Sequence, residues 1–208
     1  FDLVEGLNEK GVQTDVLCAN HLKGNSFFDE HYKIFAAHTI KVLASTPLSY
    51  SIIPILKKIQ HNYDIIHIHL PNPMANLAVF LTQPKARIIL HWHSDIIRQK
   101  KLLKLYAPLQ TWLLKKADKI VITTPTYVEG SSTLKKYKDK ITCIPIGIDN
   151  KELTVNETKL NELKKEYKEK KIVFYLGRLV YYKGIEYLIE ASKSLPDDTI
   201  ILIAGIGD

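Results

Sequence analysis

The stretch FYLGRLVYYKGIEYLIEA, Phe174 to Ala191, reads as a buried strand, a basic turn and a helix in direct succession. Val173 to Leu176 are apolar enough for a strand covered on both faces, as in a parallel sheet. Gly177 permits a backbone turn that a side chain would obstruct, and Gly184 sits where a helix can begin. Arg178 and Lys183 then project two fixed positive charges near free helix N–H groups. Cationic side chains and the positive end of a helix dipole favour the same anion, so the turn suits a diphosphate. Spacing alone leaves a second reading open, a pair of solvated surface cations.

Downstream, the pattern predicts a helix over Ile185 to Lys193, a turn at Leu195 to Asp198, a strand over Thr199 to Ala204, and then GIGD. One βαβ unit cannot bury both faces of its sheet, so this is read as the opening unit of a larger domain. Upstream, Asn156 to Lys171 is highly charged with a narrow stripe of Leu160, Leu163 and Tyr167, which predicts an exposed helix. Still further upstream, strand and helix patterns alternate. A helix carrying Leu3, Val4 and Leu7 ends at Gly11, and strands follow over Val12 to Ala19 and Lys33 to Lys41. Thr46-Pro47 is read as starting a helix through Gln60, with Ile52, Ile55, Leu56 and Ile59 as its apolar stripe. A strand over Tyr63 to Leu70 precedes a helix capped by Asn72-Pro73 that runs to Thr82. Arg87 to Trp92 is the next strand, and Ile97 to Lys116 a long helix. Asp118 to Thr123 is strand-like, Pro125 to Tyr137 mostly helical, and Lys140 to Pro145 a short strand. The expectation is an α/β protein: a domain over 1–150, a charged connecting helix over 151–170, and the start of a second domain over 171–208.

The 208 residues are 46% hydrophobic and 25% charged, an ordinary globular balance, and no apolar run approaches the roughly 20 residues that span a bilayer. FDLVEGLNEKG lacks the basic and apolar regions of a secretory signal and has no initiator Met; the chain is expected to begin inside a fold. Cys18 and Cys143 stand in apolar runs without metal-ligand spacing, which reads as two buried thiols in a reducing compartment. The net charge of +7 points to an anionic partner: nucleic acid, acidic membrane or phosphorylated substrate. No G-x-G-x-x-G, P-loop, GxSxG elbow or pair of catalytic carboxylates is present.

Several polar residues fall at strand ends. His93 follows a buried-type strand and so lies at the carboxyl edge of a parallel sheet, where such folds bind ligands. A histidine simply hydrogen-bonded at a strand end is the competing reading. His91 is taken to have the opposite parity on that strand and is the weaker candidate. Asp95 is read as orienting His93, contacting an acceptor or, preferably, capping the next helix. His67 and His69 share one strand face, and an HxH pair can bind a metal, but spacing identifies no third ligand and no metal is expected. Structural packing explains the pair at least as well. Gly205 and Gly207 make a GxG that a plain strand-to-helix turn explains.

LGRLVYYKGIEYLIEA resembles the start of the C-terminal domain of retaining family 4 glycosyltransferases, which have the GT-B fold. Five further segments resemble the family's N-terminal half in the expected order: EGLNEKGVQTDVL, YDIIHIHLPNPMANLAV, ARIILHWHSDI, ADKIVITTPTYVEGSSTL and ITCIPIGID. Together they cover most of the chain. The resemblance implies two Rossmann-like domains, with Arg178 and Lys183 binding the diphosphate of a UDP- or GDP-sugar. It implies that His93 is catalytic and lies near the transferred sugar, with His69 and Asp95 on the acceptor side. Gly205 and Gly207 would belong to the family's GxGP turn, with Asp208 where Pro is frequent. The family's first strand with its glycine-rich loop would precede Phe1, and its acidic E-x7-E motif would follow Asp208, so the chain is expected to be an inactive fragment.

The implied activity is transfer of a hexose, with retention and without cofactor or metal, to a saccharide or lipid-linked acceptor in bacterial surface polysaccharide synthesis: lipopolysaccharide, O-antigen or capsule. Another GT-B-type enzyme, a sugar-nucleotide epimerase or phosphorylase, is the alternative. A basic nucleic-acid-binding module fits the charge, but RNP aromatics, zinc-finger and helix-turn-helix spacings are missing. The expected location is cytoplasmic, with peripheral attachment to the inner membrane face. The basis for attachment is the helix over Ile97 to Lys116, which carries Arg98, Lys100, Lys101, Lys104, Lys115 and Lys116.

Overall fold

The computed structural model describes residues 2–20, 27–28, 31–43, 46–96, 100–147 and 154–207. The chain divides into two compact units, Phe1–Gly147 and Ile148–Asp208. The first opens with helix α1, Asp2–Glu9. Gly11 ends it in the left-handed region (φ 78°), and Val12 N–H reaches back to the Leu7 carbonyl at 2.9 Å. Strand β1 (Val16–Asn20) pairs in parallel with β3 (Lys33–His38), and β2 (Phe27–Phe28) lies antiparallel on the far side of β3. Asp15 pins this sheet, accepting from Lys33 N–H at 2.7 Å and from the Tyr63 hydroxyl at 2.5 Å.

The segment expected to open a helix at Thr46-Pro47 is instead extended. Strand β5 (Thr46–Leu48) pairs antiparallel with β4 (Lys41–Leu43), Val42 opposite Pro47. A two-stranded ribbon tolerates a proline, which has no N–H to give to a ladder. A buried hydrogen bond of 2.9 Å between the Thr39 and Ser49 hydroxyls holds the ribbon's base. Helix α2 therefore begins only at Ile52–Ile59, burying Ile52 and Leu56 of the expected stripe.

A second sheet has the order β6–β7–β8–β9, all parallel: Ile65–Leu70, Arg87–Trp92, Lys119–Ile122 and Ile141–Cys143. Helix α3 (Pro73–Thr82) starts as the sequence predicts, with Asn72 Oδ1 accepting from Ala75 N–H at 3.0 Å and Pro73 in the first turn. Helix α4 spans Lys100–Lys116; Ile97 and Arg98, included in the predicted helix, lie outside the described residues. Burial alternates along β7, so Ile88, Leu90 and Trp92 face the core. There they join Ile68 and Leu70 of β6, Ile120 and Ile122 of β8, Leu113 and Leu114 of α4, and Ala117 just past its end. Asp118 sets the β7–β8 register, its carboxylate accepting from Ile88 N–H at 2.7 Å and its own N–H donating to the Ile88 carbonyl at 2.9 Å.

The helix predicted over Pro125 to Tyr137 is broken. One α turn, α5 (Tyr127–Gly130), is followed by a 3₁₀ stretch over Leu134–Lys140. Ser131 is buried and extended at the break, and its hydroxyl accepts from Leu134 N–H at 3.2 Å, a side-chain bond that competes with helix continuation.

In the second unit, α6 (Glu157–Glu166) is exposed as predicted and capped by Asn156, which accepts from Lys159 N–H at 3.0 Å. Strands β10 (Lys171–Leu176) and β11 (Thr199–Ala204) are parallel, with α7 (Ile185–Ala191) between them in sequence. The expected burial of Val173 to Leu176 is not met: Phe174 is 61% and Leu176 74% exposed. Two strands and one short helix do not supply enough surface to cover a sheet on both sides. Both units are α/β, with parallel pairing through β6–β9 and between β10 and β11.

Candidate functional site

The first unit gathers histidines on the sheet face opposite its core. His67 and His69, two residues apart on β6, point the same way, and the β6–β7 register places His91 directly beside His69. His93 follows β7 and is held there by its N–H, which donates to the Leu70 carbonyl at 3.0 Å. The rings of His91 and His93 stack at 4.4 Å, and those of His69 and His93 at 5.1 Å, 7° from parallel. This corrects the parity assigned to His91: residues two apart on a strand share a face, so His91 belongs with His93. His69 Nδ1 and His93 Nε2 share a hydrogen bond of 2.8 Å, one ring donating and the other accepting.

Burial disfavours charge on His67, His69 and His91. It lowers His67 and takes His69 down to about 4, with neighbouring imidazoles adding to the effect in both. His91 is also pushed to about 4 by burial, then by His93 and His69. Near neutral pH His67, His69 and His91 thus offer uncharged rings, able to donate and accept hydrogen bonds or to ligate a metal.

Asp95 is hydrogen-bonded within the fold. Its Oδ1 accepts from Trp92 Nε1 at 3.1 Å and from Ser131 Oγ at 3.2 Å, while its N–H donates to the Tyr127 hydroxyl at 2.8 Å. It makes no hydrogen bond to His93 among the described residues, and the helix start it was expected to cap lies outside them. Asp95 is a brace tying the segment after β7 to α5 and the Ser131 break. Trp92, Tyr127 and Ser131 were not foreseen as its partners. They come from separate elements, and no spacing in the sequence announces the contact.

In the second unit, the β10 and β11 ends approach closely. Gly177 N–H donates to the Ala204 carbonyl at 3.0 Å and Leu179 N–H to the Ile206 carbonyl at 2.9 Å. A Cβ on Gly205 (φ 155°) would collide with the Gly177 carbonyl oxygen, and one on Gly207 with that of Leu179. The GxG is therefore required by the approach of two backbones. Arg178 sits on this paired turn and Lys183 ends the 3₁₀ turn that follows, immediately before Gly184 in the left-handed region (φ 64°). Both side chains are exposed, and neither has an ion-pair partner among the described residues. Lys183 Nζ stands 5.8 Å from the Tyr182 ring centroid.

Comparison with known proteins gives concordant findings. The family model Glycosyltransferase Family 4 matches residues 1–152, and Glycosyl transferases group 1 matches 156–208. The O-antigen chain mannosyltransferase C of Escherichia coli is 33% identical over 93% of this chain and 52% of its own. The D-rhamnosyltransferase WbpZ of Pseudomonas aeruginosa is 30% identical over 99% of this chain and 54% of its own. The chain thus spans about half the length of the curated relatives it matches. Among solved structures, sucrose-phosphate synthase from Thermosynechococcus elongatus superposes with a TM-score of 0.72 at 18% identity, over all of this chain and 56% of that one. Anabaena HepE in complex with UDP gives 0.63 at 15% identity, over 84% of this chain and 48% of that one. These likenesses show the fold, the GT-B type of parallel α/β architecture.

Proposed function

The chain belongs to glycosyltransferase family 4, and on that premise we propose that the intact protein moves a hexose from a UDP- or GDP-sugar to a saccharide or lipid-linked acceptor during bacterial surface polysaccharide assembly. Relatives named for mannosyl and rhamnosyl transfer, one of them in O-antigen synthesis, support the reaction class. The observation that carries the reading is the glycine-paired turn presenting Arg178 and Lys183 without ion-pair partners among the described residues.

In the reaction, the bond from the anomeric carbon to the diphosphate oxygen breaks and that oxygen leaves with the electron pair. An acceptor hydroxyl forms the new bond and its proton passes to the departing diphosphate, with retention at the anomeric carbon. Charge accumulates on the departing diphosphate, so fixed cations there stabilise the transition state more than the ground state, and no metal is needed for that task. Arg178 offers a bidentate fork and Lys183 a compact charge. His93, held by Leu70 and His69, serves as a hydrogen-bonding group for the transferred sugar, with His69 and Asp95 shaping the acceptor side.

Donor titration of the intact protein tests this. Arg178→Ala and Lys183→Ala are each expected to weaken UDP- or GDP-sugar binding by about 1.5–3 kcal/mol, the worth of a charge-assisted contact. His93→Ala is expected to cut turnover far more than donor affinity. Donor affinity unchanged in both cation variants, with the fold intact, would remove the diphosphate assignment.

A further inference from the structure

We propose that His67, His69 and His91 form a three-imidazole site for one divalent transition-metal ion of the zinc class. The site lies wholly within the first unit and does not depend on the donor-binding reading. Its geometry follows from strand pairing. The period of a strand sets His67 and His69 on one face, and the parallel register sets His91 against His69 from the neighbouring strand. Ring centroids are 5.1 Å apart for His67–His69 and His69–His91, and 5.5 Å for His67–His91. One ring nitrogen from each comes within 4.8 Å of the other two. A tetrahedral ion with Zn–N bonds of about 2.0–2.1 Å brings its ligand nitrogens to roughly 3.4 Å of one another, a contraction that side-chain rotation supplies. Three protein ligands leave the fourth position for water or a substrate atom.

Two further observations favour a metal over simple ring packing. Both nitrogens of His91 are shielded from solvent and have no hydrogen-bond partner among the described residues. A shielded, unsatisfied ring nitrogen is costly, and coordination would satisfy one of the two. The bond between His69 Nδ1 and His93 Nε2 leaves His69 Nε2 for the ion, and gives His69 the outer-shell partner that ligating histidines use to fix tautomer and orientation. Imidazole-only sites suit zinc, copper, nickel and cobalt rather than magnesium or calcium, which take oxygen ligands. A metal here would also fix the tautomer of His93 through His69.

The test uses the purified chain, stripped with a chelator and titrated with Zn²⁺ by calorimetry and with Co²⁺ by visible absorption. The expected result is one equivalent of either ion, with the intense visible bands of four-coordinate Co²⁺. His67→Ala and His91→Ala should each abolish stoichiometric binding, and His93→Ala should weaken it by roughly 10–100-fold, as loss of an outer-shell partner does. His61→Ala, an exposed histidine away from the cluster, should bind as the parent does. Failure of the folded parent to bind either ion overturns the proposal. So does stoichiometric binding that survives His91→Ala, or survives His67→Ala should the His91 variant unfold.

Discussion

Gly205 shows how much a single residue can decide. Its missing side chain is the space in which the Gly177 carbonyl lies, and its φ of 155° is one that other residues rarely adopt. Gly205→Ala is therefore expected to cost more than about 2 kcal/mol locally, since strain of 1–3 kcal/mol is joined by a collision with backbone. Hydrogen exchange should show lost protection across the paired amides of Lys171–Leu176 and Thr199–Ala204. Gly130→Ala, where an added Cβ meets nothing within 4 Å, should leave exchange unchanged. Equal protection in both variants would mean that the two turns do not approach as described. Arg178 and Lys183 were legible in the sequence because fixed charge beside glycine is a local signal. His91 was not, because its partners come from β6, and only pairing reveals that HIH and HWH stand side by side.

At the scale of elements, α4 ends against an ammonium group. Lys140 Nζ donates to the carbonyls of Lys115 and Ala117, each at 2.7 Å, and to that of Leu114 at 3.4 Å. The last carbonyls of a helix lack partners within it and carry the negative end of its dipole, so a cation just before β9 answers both needs. Lys140→Met keeps the stem and removes the charge, and is expected to destabilise the first unit by about 1–2 kcal/mol. The midpoint of urea unfolding reads this directly, and an unchanged midpoint would show the contact to be incidental. Element type was legible where a cap or a run of apolar residues spoke locally, as at Asn72-Pro73 or along Arg87 to Trp92. It was misread at Thr46-Pro47, whose helix-start signal yielded to a ribbon pairing with Lys41–Leu43. It was misread again at Ser131, where side-chain bonds to Asp95 and Leu134 ended the helix.

For the whole molecule, charge sets the expectation. The chain carries +7, and no helix among the described residues is long and apolar enough to cross a membrane. Along α4, Lys104, Lys115 and Lys116 are exposed, and so are Leu102 and Leu105, while Leu113 and Leu114 dock on the sheet. Peripheral, salt-reversible binding to anionic vesicles is expected, at about 1 kcal/mol per cation near the surface. Co-sedimentation at low and high salt checks it; no binding at low salt leaves the basic helix a solvated face. The amino-acid sequence by itself determined the α/β class, the strands of the second sheet and the cationic turn, each written in periodicity or in neighbours along the chain. The family was legible as a resemblance of motifs in order. Only the tertiary structure decided that four histidines share one face, that Asp95 braces rather than orients, and that Lys140 closes α4. Those depend on strand register and on contacts between residues far apart in sequence, where no local pattern carries the information.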